Sequence, residues 1–506
     1  MAAQDNVHKF LSAIEDEAPE LEMDLSRESA QAWGQATFPT NGSSVWAILK
    51  PASNEELATI LTMAQEHQVA LYPVSTGKNW GFGSRVPPCR GALAVSLANI
   101  NEVVGLDLEA GTVTVQPGTT FRQVQKLLAQ SKQPWQLSAP SNTPDCSIIG
   151  NTLERGLCKG PSLERWKSII GMEVMLPDGK LFRTDSYVTP QANRGTPAGP
   201  DVLPLFVQSN LGLVTEMTLA LDRQPNFWRH LHLTWLDEDL SLEEMSQVLR
   251  KLLIDGYFPT NITVHNAEKV ISYLHRYPSK EKPLAADDRN RLLQEIGGGD
   301  WFLETAISAP NQAGLLAMKA GVEEALASLP IKIRWGQQNA PGPMYHYHTE
   351  ETAKRVYWRK SMELPADIDP DRDQCGVLWF CPVIPWNGPD LIAVSHLVHE
   401  LAYTRGYEPM VSFLFDNHRY VYAIISILFD RENKEEDAAA MALYKELNVR
   451  LTEARYYPYR LGWFDHRFGV DWDFDHVRDE LLSHLKNNVD PSGILAPGRY
   501  DFYHLY

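Results

Sequence analysis

The chain has 506 residues, 44% hydrophobic and 22% charged, enough for roughly two large domains, or three smaller ones, with a real core, since domains usually run about 100–200 residues. Its 46 Lys and Arg stand against 64 Asp and Glu, a formal net charge of −18. That balance argues against a uniformly basic nucleic-acid binder, because phosphate contacts need clustered positive charge.

From the start, Met1 to Glu22 carries no basic stretch followed by an apolar run, so no signal peptide is expected. Ser53-Asn54-Glu55-Glu56 is a capping-box signature, and Leu57, Ile60, Leu61 and Ala64 follow on one helical face ending near His67. Val69–Ser75 reads as a short buried strand, and a glycine-rich loop, Thr76 to Ser84, comes next. Ala92–Leu97, Glu102–Asp107 and the β-branched Thr112–Gln116 read as strands, with a turn at Glu109-Ala110-Gly111. Pro117-Gly118-Thr119 breaks the sheet and opens a helix through Val124, Leu127 and Leu128. Asp178-Gly179 joins Ile169–Leu176 to Lys180–Thr184 as a hairpin, and Leu211–Leu221 is a further strand. Beyond Arg223 long helical patterns such as Glu243–Leu253 alternate with apolar strands. Val411–Phe429 reads as a hairpin bending at Asp416-Asn417, and Asp475–Lys486 as a helix followed by a turn.

Several familiar signatures fail. Gly81-x-Gly83 lacks the third glycine of a dinucleotide fingerprint, and Gly77-Lys78 lacks the first glycine of a phosphate loop. There is no GxSxG elbow. His399-Glu400 meets Tyr403 where a zinc protease needs its second histidine. Asp471, Asp473 and Asp475 alternate as in a calcium loop, but His476 replaces the glycine and Leu482 the closing glutamate. His346 and His348 read as pocket-lining or exposed residues, so no metal is expected. The five cysteines form no CxxC pair and suggest neither a disulfide framework nor a zinc ribbon. The apolar run Tyr420–Phe429 is too short to span a bilayer. A soluble, cytoplasmic protein with no membrane partner is the expectation.

One unit carries more. Glycines 77, 81 and 83 let the backbone turn sharply and expose successive amides, a concavity suited to a pyrophosphate. Gly150-Asn151 and Gln208-Ser209-Asn210-Leu211-Gly212 add two more small-residue loops, as a long, extended cofactor would need.

The run Pro73-Val74-Ser75-Thr76-Gly77-Lys78-Asn79-Trp80-Gly81-Phe82-Gly83 resembles the pyrophosphate loop of the vanillyl-alcohol oxidase and p-cresol methylhydroxylase flavoproteins. Val115 to Phe121, Gly150 to Gly156, Gly171 to Val174, Gln208 to Thr215 and Asp490 to Gly498 resemble the later blocks in the same order. The resemblance implies an α+β, two-domain FAD-linked oxidase fold. Residues 1–222 and 471–506 would form a discontinuous FAD-binding domain, and 223–470 a cap with an antiparallel sheet. It implies FAD held by Ser75, Thr76, Gly77, Lys78, Asn79, Trp80, Gly81 and Gly83, and by Pro117, Gly118, Asn142, Ser147, Gly150, Asn151, Leu213 and Val214. Tyr459-Arg460 matches the tyrosine–arginine pair that holds a phenolate in the phenol-oxidising members, and Phe82 and Trp463 would wall the substrate.

Two positions depart from the family. Phe82 stands where the second phenolate-binding tyrosine belongs, and Asn142 where the alcohol oxidase has an acid. Asp145 is the nearby carboxylate considered as the base in its place, and Arg460 favours a substrate with an acidic group. Tyr422 falls in the region of covalent flavin attachment, where a shift of one residue would put Ala423 instead. The expectation is an FAD-dependent oxidase or dehydrogenase acting on a small aromatic or phenolic molecule. Its partners would be that substrate, molecular oxygen or an electron-acceptor protein, and a second copy in a homodimer. A 2-hydroxy-acid dehydrogenase of the same fold and a non-catalytic flavin-fold subunit are the alternatives.

Overall fold

The computed structural model describes residues 2–40, 42, 45–184, 198–273, 276–278, 281–339, 351–360, 362–468 and 476–500. His346, His348 and the Asp471–Asp475 alternation lie outside them.

The first sheet runs Glu22–Asp24, Ile48–Lys50, Leu93–Ser96, Leu71–Val74, its last three strands parallel. Helix Asn54–His67 feeds it. Ser53 accepts the Glu56 amide at 3.1 Å, while the Glu56 carboxylate turns back to the Ala52 amide at 2.7 Å. Helix Ala2–Glu17, which the sequence reading passed over, buries Phe10 and Ile14 in the same core as Leu57, Ile60 and Leu61. The end of the chain returns here: Leu71 donates to the Ile494 carbonyl and accepts from the Ala496 amide, both at 2.8 Å.

A second, antiparallel sheet orders Val103–Asp107, Thr112–Val115, Leu213–Ala220, Ile169–Met175 and Leu181–Arg183. Gly179, at φ +79°, makes the expected hairpin turn. Helix Phe121–Ser131 opens on a complete capping box between Thr120 and Gln123.

The largest sheet has the path Lys332–Trp335, Phe227–Trp235, Trp301–Ala309, Ile262–Asn266, Met410–Phe415, Tyr420–Asp430, Cys375–Phe380, and Val383–Pro385 also pairs with Tyr420–Asp430. All its pairings are antiparallel. Helices Leu242–Ile254, Gln312–Leu326, Gly388–Thr404 and Lys434–Glu453 bury their apolar stripes in one core with this sheet. A separate cluster joins Val377, Trp379, Met410 and Leu428 of these strands to Phe82 of the glycine loop. That second face positions the site.

Candidate active site

Strand Leu71–Val74 delivers the chain into the glycine loop, and the loop borders a cavity of about 370 Å³. Gly77 and Gly81 sit at φ +70° and +79°, left-handed values that an L side chain adopts only with strain. Among the described residues, the amides of Gly77, Lys78 and Asn79 donate to no protein acceptor. A row of free amides on a cavity wall is the donor set that a pyrophosphate satisfies. Neighbouring segments brace the loop. Thr76 Oγ1 accepts the Ser147 amide at 2.9 Å, and Asn142 Nδ2 donates to the Lys78 carbonyl at 2.9 Å. Ser147 Oγ in turn donates to the Pro117 carbonyl at 2.6 Å and accepts the Gly150 amide at 2.9 Å.

Of the residues expected at the cofactor, Ser75, Thr76, Gly77, Lys78, Asn79, Trp80, Pro117, Asn142, Ser147, Gly150, Asn151, Leu213 and Val214 line the cavity. Gly81, Gly83 and Gly118 do not, and at Gly81 and Gly118 smallness serves packing instead. A Cβ on Gly81 would lie 2.1 Å from the Trp379 ring, and one on Gly118 would lie 2.5 Å from the Ala98 carbonyl oxygen.

Phe82, Tyr459 and Arg460 also line the cavity. The Arg460 guanidinium lies 4.1 Å from the Phe82 ring centroid, a close cation–π stack. Its Nη2 donates to Asn79 Oδ1 at 2.6 Å and approaches Glu154 Oε2 at 3.5 Å. Glu154 also accepts from Arg499 at 2.7 Å and from the Tyr500 hydroxyl at 2.8 Å. Burial would raise the Glu154 carboxyl, but Arg499 and Arg460 outweigh it and hold the group below its usual range. Two guanidinium groups thus share one carboxylate, leaving a net positive charge beside the cavity. Burial pushes the Tyr459 hydroxyl above its ordinary range, so it remains a donor at neutral pH.

Three expected site residues stand elsewhere. Asp145 is half-exposed in a two-pronged ion pair with Arg122, at 2.6 and 2.9 Å, and does not line the cavity. The turn Thr143–Cys146 points its carboxylate outward, which corrects its placement as a base. Trp463 packs against Phe38 in the core and donates to the Pro87 carbonyl at 2.9 Å, so it forms no substrate wall. The Tyr422 hydroxyl donates to Glu164 at 2.7 Å, with its ring 5.2 Å from that of Tyr459, and it too is absent from the lining.

Strands of the largest sheet and the segments beside them contribute further residues that no sequence motif marks. His265 Nδ1 meets Ser412 Oγ at 2.7 Å, and His265 Nε2 lies 3.5 Å from Glu304, which pairs with Lys159. Burial pushes His265 down to about 4, so the ring is neutral near pH 7. Lys269, Tyr273, Arg355 and Trp379 line the same cavity. Asp371 is buried beneath the glycine loop, accepting from Ser84 Oγ at 2.8 Å and Trp80 Nε1 at 3.2 Å. Among the described residues no cluster of three His, Cys, Asp or Glu side chains could hold a metal, and no helix is long and apolar enough to cross a membrane.

Comparison with known proteins agrees with this geometry. The model of an FAD binding domain matches residues 46–185. The chain is 33% identical over 515 aligned positions to 1'-carboxy-chondrochloren decarboxylase of Chondromyces crocatus, covering 94% of each chain. It is 26% identical over 467 positions to the 4-cresol dehydrogenase [hydroxylating] flavoprotein subunit of Pseudomonas putida, covering 90% of this chain and 87% of that one. In structure it superposes on p-cresol methylhydroxylase with substrate bound at a TM-score of 0.86 and 23% identity, covering 99% of this chain and 97% of that one.

Proposed function

The chain belongs to the vanillyl-alcohol oxidase and p-cresol methylhydroxylase family of FAD-dependent oxidoreductases, and on that premise we propose that it removes a hydride from a small aromatic, phenolic substrate. The carrying observation is one cavity bounded both by the free amides of the glycine loop and by Phe82, Trp379, Tyr459 and Arg460. FAD, when bound, supplies the hydride acceptor.

The protein's own groups do the rest. Arg460 brings positive charge to a phenol oxygen, and the Tyr459 hydroxyl donates a hydrogen bond to it. Together they favour the phenolate, whose electrons drive hydride departure from the benzylic carbon. Phe82 and Trp379 give the ring an apolar surround that excludes water. The same reading divides the chain into an FAD-binding domain of residues 1–222 and 471–506 and a cap of 223–470. Pairing of Leu71 with Leu495 supports that division. It also includes a homodimeric, cytoplasmic protein turned over by molecular oxygen or an electron-acceptor protein.

A second reading is favoured by the full-length relative whose name specifies loss of a carboxy group. Here hydride loss accompanies decarboxylation. The bond to the carboxylate breaks, CO2 leaves, and its electron pair forms a new carbon–carbon double bond.

Anaerobic mixing of the purified holoprotein with 4-hydroxybenzyl alcohol or 4-ethylphenol tests the first reading. Bleaching of the visible flavin absorbance is expected. Absence of bleaching with every 4-alkyl- and 4-hydroxyalkylphenol overturns it. Release of CO2 in step with bleaching by a phenolic acid marks the second.

A further inference from the structure

Two buried cations in the cavity are not used by the phenolate clamp. Lys269, on helix Ala267–Ile271, is 2% exposed, and Arg355, closing helix Glu351–Arg355, is 3% exposed. They flank one indole: Lys269 Nζ lies 5.1 Å and Arg355 Cζ 5.5 Å from the Trp379 ring centroid. Lys269 donates to the Ser426 hydroxyl, and the Arg355 guanidinium lies 5.2 Å from the Tyr273 ring centroid. Among the described residues neither forms an ion pair with a carboxylate, and Arg355 Nε is buried without a partner.

Burying one unpaired charge is costly, and two like charges side by side cost more. Among the described residues other buried cations are met by carboxylates or by several polar acceptors: Arg359 by Glu408, Lys486 by Asp490 and Arg499 by Glu154, each at 2.7 Å, and Arg165 by the Ser138 carbonyl, Thr152 Oγ1 and Asn151 Oδ1. Among the same residues Lys269 and Arg355 have by contrast only the Ser426 hydroxyl and the Trp379 and Tyr273 rings, a set that an incoming anion would complete. Burial and the adjacent Arg355 already push the Lys269 ammonium well below the usual lysine range, a penalty that a bound anion relieves.

We propose that Lys269 and Arg355 form a carboxylate-binding subsite, so that the substrate is a phenolic acid whose carboxylate lies against Trp379 while its phenol oxygen meets Arg460. This rests on the reading of the cavity as a substrate-oxidising site. It adds that the ligand carries two acidic groups, one for each cationic region. Arg355 suits the part because a guanidinium offers a carboxylate two parallel donors.

The test is titration of the flavin-loaded protein with 3-(4-hydroxyphenyl)propanoate and with its neutral amide, followed by the change in the flavin spectrum. The acid should bind at least about tenfold more tightly than the amide. In Arg355→Gln, and separately in Lys269→Met, that ratio should fall toward one. Equal affinity in the unaltered protein overturns the subsite, as does failure of both compounds to bind or a preference that survives both substitutions. Binding without bleaching is a separate outcome: it removes the oxidation reading and leaves the affinity ratio to decide the subsite.

Discussion

The indole nitrogen of Trp379 donates a 3.1 Å hydrogen bond to the Trp80 carbonyl, and its ring occupies the space a side chain on residue 81 would need. A strand of the largest sheet thereby fixes the conformation of the glycine loop that borders the cavity. In Gly81→Ala the methyl group would meet that ring at 2.1 Å, on a backbone at φ +79° that already costs about 1–2 kcal/mol for any L residue. Purified Gly81→Ala should hold less than about half the flavin of the unaltered protein. The ratio of flavin to protein absorbance measures this, and full occupancy would show that the loop tolerates the shift.

Arg460 is held on Phe82 and Asn79 with its charge only partly met by Glu154. Arg460→Met should lower kcat/KM for phenolic substrates by about ten- to a hundredfold, the worth of a hydrogen bond to a charged group. The loss should shrink at alkaline pH, where the phenol ionises unaided. Steady-state rates across pH provide the check, and a loss independent of pH would make Arg460 a structural residue.

Asp371 has its carboxyl pushed up to about 7, chiefly by burial and against the hydrogen bond from Ser84. Between about pH 4 and 7 the folded protein therefore holds a proton that the unfolded chain has released. The stability from that proton is full below the ordinary aspartate pKa. It is lost as pH rises through about 7 and amounts to something on the order of 4 kcal/mol. Asp371→Asn removes the titration, so its Tm advantage over the unaltered protein should be larger at about pH 8 than at about pH 5. Thermal melts at the two pH values decide; an equal difference at both would mean that Asp371 ionises normally.

Acid precipitation should leave the flavin in the supernatant. The hydroxyl through which Tyr422 would form a covalent bond is engaged by Glu164 at 2.7 Å, and the residue does not line the cavity. Colour retained in the pellet, and lost in Tyr422→Phe, would instead assign a covalent link to this tyrosine.

The parts legible in the sequence were those encoded locally. The capping serine at 53, the Asp178-Gly179 hairpin and the glycines of the 77–83 loop each demand a particular backbone over a few residues, and the structure places all three where their patterns indicated. Helix Ala2–Glu17 carried a comparable signal in Val7, Phe10 and Ile14, spaced three and four apart and all buried. The cation pair had no such signal. Lys269, Arg355 and Trp379 meet only because strand Cys375–Phe380 pairs with Tyr420–Asp430, and that pairing brings Trp379 opposite Ser426, which receives Lys269. Asp145 was misplaced for the opposite reason: closeness in sequence to Asn142 says nothing about which way a short turn aims its side chain.

The pairing of Leu71 with Ile494 and Ala496 has a consequence for biosynthesis. A ribosome delivers the glycine loop long before the neighbour that completes the strand leading into it. Contacts that distant in sequence are slow to form, because loop closure must be met before they contribute. The strand that leads into the glycine loop is thus completed late in folding, after the rest of the chain between its two partners has been made.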